Sequence, residues 1–377
     1  MNFDKSPNFR RMISPHTGIR GLAAMVVFLM HLCTEPQITL GMNQAYFSMF
    51  YWGEYAVDLF FILSGFILHW VYFGKQDHNI NWGGYLKARC VRILPLYYLT
   101  LAAFLPPCIR TLRFYGAFHE HGKHLALLLG NLSLLSGFSG EPHWSWTLNG
   151  PSWSISIEFF AYLVLFPLLV MLFTKYREAA LFPTLVISIL GMMLCYATMS
   201  HSLMGWEWTR FSRGLFGFPL GFALCMLFKH TEVKSSTAVD AVCFTAVVIM
   251  ILSLYSILPR ILILCVLPFL VYFTAFDKGR FCGFLNAKLN QWLGERSYSI
   301  YLWHTPIMYV YFIPKVGVID SFIRMPRLYQ GAVNMMLIIV SVLIVSELSY
   351  RYFESPIRQF FRTKSSRSAS LEISQSR

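Results

Sequence analysis

Charge is what this sequence lacks most. Only 13% of its 377 residues are charged, whereas 56% are hydrophobic and the mean hydropathy is +0.52. A soluble protein of this length could not cover its surface with so few charges. The composition therefore excludes an ordinary soluble domain and predicts a polytopic membrane protein.

Acidic residues are the scarcer of the charged types. Asp and Glu number 18 against 31 Lys and Arg, which gives a formal net charge of +13. The cations are scattered between apolar runs, a distribution that fits topology signals and phosphate contacts better than nucleic acid. The eight cysteines show no metal-ligand spacing. We therefore expect no nucleic-acid partner, no metal and no bound cofactor.

Long apolar runs are abundant and predict an all-α membrane helix bundle of about ten transmembrane helices. The runs lie at 19–34, 46–73, 90–107, 153–174, 180–200, 210–229, 238–257, 259–276, 298–314 and 330–352. A further run at 125–138 is too short to span comfortably, and we interpret it as re-entrant or interfacial. With this choice most Lys and Arg lie on the inner side, so both termini are predicted to be cytoplasmic. Residues 1–358 form the predicted membrane domain, and 359–377 a basic, disordered tail.

The first predicted helix carries a cation and an imidazole on one face. Arg20 and His31 stand eleven residues apart in GIRGLAAMVVFLMHL. That spacing places both on one side of a helix, roughly 16 Å apart along its axis. Ionisable residues inside spans mark function by default, so the pattern suggests chemistry within the membrane. The alternative is an arginine anchored at the headgroups and a histidine hydrogen-bonded between helices.

A second basic pair opens the third predicted helix. Arg89 and Arg92 are three residues apart in KARCVR and share a helix face at the inner membrane surface. Two guanidinium forks on one face suit a phosphate or pyrophosphate. The alternative is ordinary positive-inside anchoring.

Two carboxylates lie in otherwise apolar spans. Asp58 precedes Ser64 and Gly65 in DLFFILSGFIL, where the glycine allows close helix approach. An intramembrane carboxylate needs a partner, so the alternative for Asp58 is a structural pair with an Arg or His of a neighbouring helix. Glu158 lies two turns into the fourth span, near the predicted depth of His31, and shares a face with Ser154.

Aromatic residues crowd two stretches. Trp153 stands in HWSWTLNGPSW, which resembles an interfacial belt. His304 lies midway along the ninth span in SYSIYLWHTP, where it either lines a cavity or is a hydrogen-bonded core histidine. Arg210 and Arg213 are expected at an outer helix end, in contact with an acidic or sugar-phosphate acceptor or with lipid headgroups.

Six motifs in order resemble the bacterial acyltransferase-3 family, integral membrane enzymes that O-acetylate surface polysaccharides. They are RGLAAMVVFLMH, DLFFILSGFIL, RCVR, PSWSISIEFFAYL, SYSIYLWHTP and YRYFESPIR. The resemblance runs from about residue 16 to 358 and implies a multi-pass protein of the bacterial inner membrane. It also implies an acyl-CoA co-substrate, most simply acetyl-CoA, used from the cytoplasm. The implied partners are this donor, membrane lipids and a carbohydrate or lipid-linked sugar acceptor, among which O-antigen, exopolysaccharide, peptidoglycan sugar and macrolide stay open.

The resemblance and the residue chemistry together suggest roles. Arg89 and Arg92 would hold coenzyme A phosphates, and the pantetheine arm would pass Arg20 towards His31. Arg20 is therefore expected to bind the donor and to belong to the catalytic residues with His31 and Glu158. His31 would be the general base, with Glu158 or Asp58 orienting its ring. Ser64, Ser154 or a backbone amide would stabilise the oxyanion, with Trp153 and His304 as support. The alternatives are a transporter of a glycan or lipid, although no inverted repeat is evident, and a non-enzymatic membrane partner.

Overall fold

The computed structural model describes residues 12–35, 47, 50, 53–73, 80–114, 128–138, 148–200, 206–312 and 327–361, and the regular elements in those ranges are all helices. The helices are α1 Ser14–Thr34, α2 Tyr55–Leu68, α3 Trp82–Phe114, α4 Trp153–Phe160, α5 Phe166–Tyr176, α6 Leu181–Ser200, α7 Trp206–Lys229, α8 Ser236–Leu254, α9 Ile261–Thr274, α10 Gly279–Leu285, α11 Lys288–Glu295, α12 Ser297–Phe312 and α13 Arg327–Ser349. Three π-helical segments, His69–Phe73, Ala161–Leu165 and Tyr350–Glu354, continue α2, α4 and α13. The all-α class predicted from the sequence is therefore confirmed.

The described helices give fewer candidate spans than the ten predicted from the sequence. Seven described stretches are long and apolar enough to cross a membrane, or eight if α9 and α10, bent by 90°, count as one broken span. One of the seven, Gly150–Thr198, is 49 residues long, which is roughly twice what a bilayer core needs. It is interrupted at Arg177, where the backbone adopts a positive φ of 49°. Because α12 has only 16 residues, it falls below the length of a full span. Ten spans therefore stay a prediction.

The run at 125–138 does not form a spanning helix in its described part. Residues 128–132 make little more than one helical turn, and a 3-10 turn, Ser136–Phe138, follows. The turn is tied to the bundle because the Tyr97 hydroxyl donates to the Asn131 carbonyl at 2.8 Å and the Ser136 and Ser156 hydroxyls lie 2.9 Å apart. These bonds satisfy irregular backbone inside an otherwise helical protein.

Helices α2 and α7 make the closest described packing of the bundle. A Cβ on Gly65 would collide with the carbonyl of Phe218, and a Cβ on Gly221 would collide with the carbonyl of Ile62. The two backbones therefore touch where neither residue has a side chain, as small residues allow in membrane bundles. The close approach predicted at Gly65 is confirmed.

A proline and an asparagine shape the middle of α12. Pro306 has no N–H, so the carbonyl of Leu302, four residues earlier, lacks its helical donor. The side-chain amide of Asn149 donates to that carbonyl at 2.9 Å instead. Both Asn149 and Leu302 are buried. The segment before α4 thus supplies the hydrogen bond that Pro306 removes from α12 next to His304.

Candidate active site

Arg20 lies one and a half turns into α1 and points towards the start of α12. Its Nη2 donates to the carbonyl of Gly294 at 3.0 Å, and its Nε lies 3.4 Å from the hydroxyl of Ser297. Arg92 and Arg358 repel the guanidinium electrostatically, whereas Glu158 attracts it. Arg20 is therefore part of a group of cations that come from distant parts of the chain.

Arg89 and Arg92 extend from α3 into the same region. Arg89 donates to the hydroxyl of Tyr72 at 3.3 Å and lies about equally far from the rings of Tyr72 and Tyr162, at 5.5 and 5.6 Å. Its Nε is buried without a hydrogen-bond partner. In the described ranges neither Arg89 nor Arg92 forms an ion pair with a carboxylate. Both arginines act electrostatically on Tyr162, which places them together.

Arg358 completes this group and was missed by the sequence analysis. It follows the last π segment and forms an ion pair with Glu354, which also accepts a hydrogen bond from Ser299 of α12. Arg92 repels Arg358. The position of Arg358 in YRYFESPIR was a usable signal. A cation at the inner end of a helix, however, resembles an ordinary anchor at the cytoplasmic membrane surface. We call Arg20, Arg89, Arg92 and Arg358 the arginine cluster.

Each π segment supplies a group to the arginine cluster. Tyr72 belongs to the first, Tyr162 to the second and Glu354 to the third. An inserted residue in a helix rotates the following side chains, and such bulges are frequent at functional sites. Because the bulges occur in three different helices and all contribute to the arginine cluster, they favour a functional role for this cluster.

His31 lies near the other end of α1, with its tautomer fixed by the backbone. Its Nδ1 is 2.9 Å from the carbonyl of Val27. Because a carbonyl can only accept, Nδ1 carries the proton and Nε2 carries a lone pair. The half-buried ring of His31 also contacts the ring of His304, with 5.0 Å between the centroids. An imidazole held in this state can accept a proton at Nε2.

Glu158 does not orient His31, contrary to one prediction. Its Oε1 accepts hydrogen bonds from the hydroxyls of Ser64, at 2.7 Å, and of Tyr162. The Nδ1 that a carboxylate would need is already bound by the Val27 carbonyl. Since Ser64 donates its proton to Glu158, it is not a free oxyanion donor either. Glu158 instead joins α2 to α4 on the side of the arginine cluster.

Asp58 does not orient His31 either, because Arg213 binds both of its oxygens. The Nε and Nη2 of Arg213 donate at 2.8 and 2.9 Å, and both side chains are buried. Arg213 also donates to the carbonyl of Glu54. The structural alternative for Asp58 is therefore the better one, and the expected acceptor or headgroup contact of Arg213 is wrong. The guanidinium groups of Arg213 and Arg210 lie 5.7 and 5.2 Å from the ring of Trp153, so Trp153 packs against both arginines.

Ser154 and His304 meet through Tyr301. The hydroxyls of Ser154 and Tyr301 are 2.7 Å apart, and both lie 3.1 Å from the carbonyl of Pro151. His304 is fully buried one turn later, with its Nδ1 3.2 Å from the carbonyl of Ile300. Helix α12 therefore links the α4 segment to His31.

Comparison with known proteins identifies the family of this chain. The model of the acyltransferase-3 family, described as an acyltransferase domain, matches residues 17–350. The chain belongs to this family. Peptidoglycan O-acetyltransferase OatA of Listeria monocytogenes is 24% identical over 382 residues, which cover 93% of this chain and 56% of that protein. Putative peptidoglycan O-acetyltransferase YrhL of Bacillus subtilis is 25% identical over 402 residues, covering 95% of this chain and 57% of YrhL.

The chain thus spans little more than half the length of these two relatives. Acyltransferase MdmB of Streptomyces mycarofaciens is similar over a shorter stretch, 31% identical over 153 residues, which cover 40% of this chain and 38% of MdmB. No solved structure matches the chain. Family membership confirms the resemblance inferred from the six motifs.

Most of the predicted site residues lie in three regions of the chain. The arginine cluster lies towards the start of α1, and His31 with His304 lies roughly 16 Å further along that helix. Asp58 and Arg213 form a separate buried ion pair, and the guanidinium of Arg213 lies over the ring of Trp153. Within the described ranges no group of three or more His, Cys, Asp or Glu side chains could hold a metal ion.

Proposed function

We propose that this acyltransferase is a bacterial inner-membrane O-acetyltransferase, which moves an acetyl group from cytoplasmic acetyl-CoA to a hydroxyl of a carbohydrate or lipid-linked sugar. The names of OatA and YrhL support a cell-envelope carbohydrate as the acceptor class. The proposed topology has ten spans and both termini in the cytoplasm, which puts the arginine cluster on the cytoplasmic side. The observation that carries the proposal is the Nδ1 contact of His31 with the Val27 carbonyl, which leaves Nε2 able to accept a proton on the same helix as Arg20 of the arginine cluster.

The arginine cluster suits the donor. Coenzyme A carries a pyrophosphate and a 3′-phosphate, and planar guanidinium groups bind such oxygens through paired hydrogen bonds. Arg89 and Arg92 have no carboxylate partner among the described residues, and Arg358 shares Glu354 with Ser299. The pantetheine arm then extends along α1 past Arg20. Glu158, which attracts Arg20 and holds the Tyr162 hydroxyl, shapes this path.

His31 acts at the far end of that path. Its Nε2 removes the proton from the acceptor hydroxyl while the oxygen bonds to the thioester carbonyl. The C–S bond then breaks, and the leaving thiolate of coenzyme A takes the proton back from His31. Transfer of the acyl group to His31 itself is a covalent variant of the same scheme.

The test is His31→Gln, which keeps the size of the side chain but removes the base. Purified protein in nanodiscs would be assayed with acetyl-CoA and peptidoglycan oligosaccharides, following both acetylation and release of the coenzyme A thiol. We expect turnover to fall roughly a hundredfold or more, with normal membrane insertion. His230→Gln is the matched control, since His230 is exposed and its Nε2 lies 4.0 Å from a carboxylate oxygen of Glu178. Wild-type turnover in His31→Gln would refute the proposed base.

A further inference from the structure

His304 is a buried histidine with an unused nitrogen. Its Nδ1 faces the carbonyl of Ile300, four residues earlier in the same helix, as the Nδ1 of His31 faces Val27. Both rings therefore carry the proton on Nδ1 and a lone pair on Nε2. The Nε2 of His304 is buried without a hydrogen-bond partner. A buried acceptor left unpaired is unfavourable, so a donor is expected to reach it during function.

Three rings contact His304, and they differ in whether they can supply that donor. Its ring contacts are Phe28, at 5.9 Å, Tyr301, at 6.0 Å, and His31, at 5.0 Å. Phe28 has no polar atom, and the Tyr301 hydroxyl is already bonded to Ser154 and Pro151. In its resting state the Nε2 of His31 carries no proton. It gains one when it acts as a base, and His31 then becomes the nearest ring that can donate.

We propose that His304 is a positioning residue for His31, an inference that rests on the proposed function. When the acceptor hydroxyl gives its proton to the Nε2 of His31, the imidazolium Nε2–H is stabilised by the lone pair on the Nε2 of His304, directly or through one water. The hydroxyl oxygen bonds to the thioester carbonyl, the C–S bond breaks, and the proton passes from His31 to the departing thiolate. His304 keeps its proton on Nδ1 and takes up no other proton, so it is unchanged over the cycle.

A second imidazole suits this task better than a carboxylate does. The carboxylates of Asp58 and Glu158 are bound to Arg213 and to Ser64 with Tyr162, so neither neutralises His31. A buried carboxylate beside His31 would also be a charge to desolvate in the resting enzyme. A neutral histidine is uncharged until the proton arrives, and it then offers a hydrogen bond to a charged group, which is the stronger kind.

Two substitutions separate this role from packing. In His304→Asn the amide can occupy the place of Nδ1 and donate to the Ile300 carbonyl, but no acceptor remains at the Nε2 position. In His304→Gln the longer side chain can place its carbonyl oxygen near the Nε2 position. We expect His304→Asn to lower kcat about tenfold to a hundredfold, the effect of losing one hydrogen bond to a charged group. His304→Gln should lose clearly less, and the KM for acetyl-CoA should stay within about twofold in both.

The reverse order, with His304→Gln the worse variant, would mean that the Ile300 contact matters and would overturn the proposal. Unchanged kcat in His304→Asn would also overturn it. If both variants lose most activity, His304→Asn in the His31→Gln background decides. A residue that acts through His31 adds no further loss there, whereas an independent loss of the same size would refute the proposal. Because His31→Gln is measured in the same series, failure of the proposed base shows itself separately from failure of the role of His304.

Discussion

Replacing Asn149 by alanine should destabilise the protein, and Pro306 should be the reason. Pro306 removes the N–H that would bond the carbonyl of Leu302, and the Asn149 amide supplies the donor instead, at 2.9 Å. In Asn149→Ala the buried carbonyl has no donor. In Pro306→Ala the backbone N–H returns, so the same carbonyl is satisfied within the helix and the asparagine becomes dispensable.

The size of the effect follows from the burial of both partners. An unpaired buried carbonyl costs about 1–3 kcal/mol. The Oδ1 of Asn149 already lacks a partner, so removing the whole amide also removes one unsatisfied acceptor. We therefore expect Asn149→Ala to lower the free energy of unfolding by about 1–2 kcal/mol. In the Pro306→Ala background the same substitution should cost close to nothing, which makes the coupling energy of the pair about 1–2 kcal/mol.

The assay is unfolding of the purified protein in detergent micelles, followed by intrinsic fluorescence, for the wild type, both single variants and the double variant. Asn290→Ala is the matched control, because the amide of Asn290 donates to the carbonyl of Phe284 at 2.7 Å and is also largely buried. That bond does not involve Pro306. Its loss should therefore cost the same with and without Pro306→Ala.

Additive effects of Asn149→Ala and Pro306→Ala, within about 0.5 kcal/mol, would refute the reasoning. That result would mean that the Leu302 carbonyl is satisfied in some other way. A coupling as large for Asn290→Ala would refute it equally, because it would show that Pro306→Ala alters the whole bundle.

Three further predictions concern the donor site, the buried pair and the topology. Arg89→Lys and Arg92→Lys should raise the apparent KM for acetyl-CoA more than they lower kcat, because lysine lacks the planar fork, and an unchanged KM in both would return these arginines to helix anchoring. Asp58→Leu should cost about 3–5 kcal/mol and reduce the yield of folded protein, and Arg213→Met in the same chain should restore most of it. A stable but inactive Asp58→Leu protein would instead make Asp58 a catalytic residue. A reporter fused after Lys175 should be cytoplasmic, and an external signal would contradict the ten-span topology.

The helices were predictable because a long apolar run has few structural solutions. Each of the predicted runs coincides with a helix or broken helix in the described ranges, and the small residue at Gly65 marked a close contact. Breaks within helices were harder to predict. The three π segments continue α2, α4 and α13, and no local sequence period announces them.

Partners of the polar residues were much less predictable than the residues themselves. Asp58 needed a cation, but the one it has, Arg213, is 155 residues away and gave no local signal. His31 was identified from its spacing to Arg20, yet its Nδ1 partner is the carbonyl of Val27, which every helix offers at that distance. The sequence predicted that a carboxylate orients the ring of His31, because a charged side chain stands out in an apolar span. The Val27 carbonyl orients the ring instead, and a backbone carbonyl has no sequence signature.

The separation of the arginine cluster from the proposed base His31 follows from the cost of charge in a membrane. Guanidinium groups stay charged, so they are best placed towards a bilayer surface, where water and phosphates can reach them. A base deep in the bundle can be neutral until it acts, and a histidine with its Nδ1 bound to a carbonyl meets that condition. A flexible thioester arm can bridge roughly 16 Å along α1, which a charged nucleotide could not cross at the same cost. In the proposed function, this arrangement lets the acyl group enter the membrane while the charged part of the donor stays outside it.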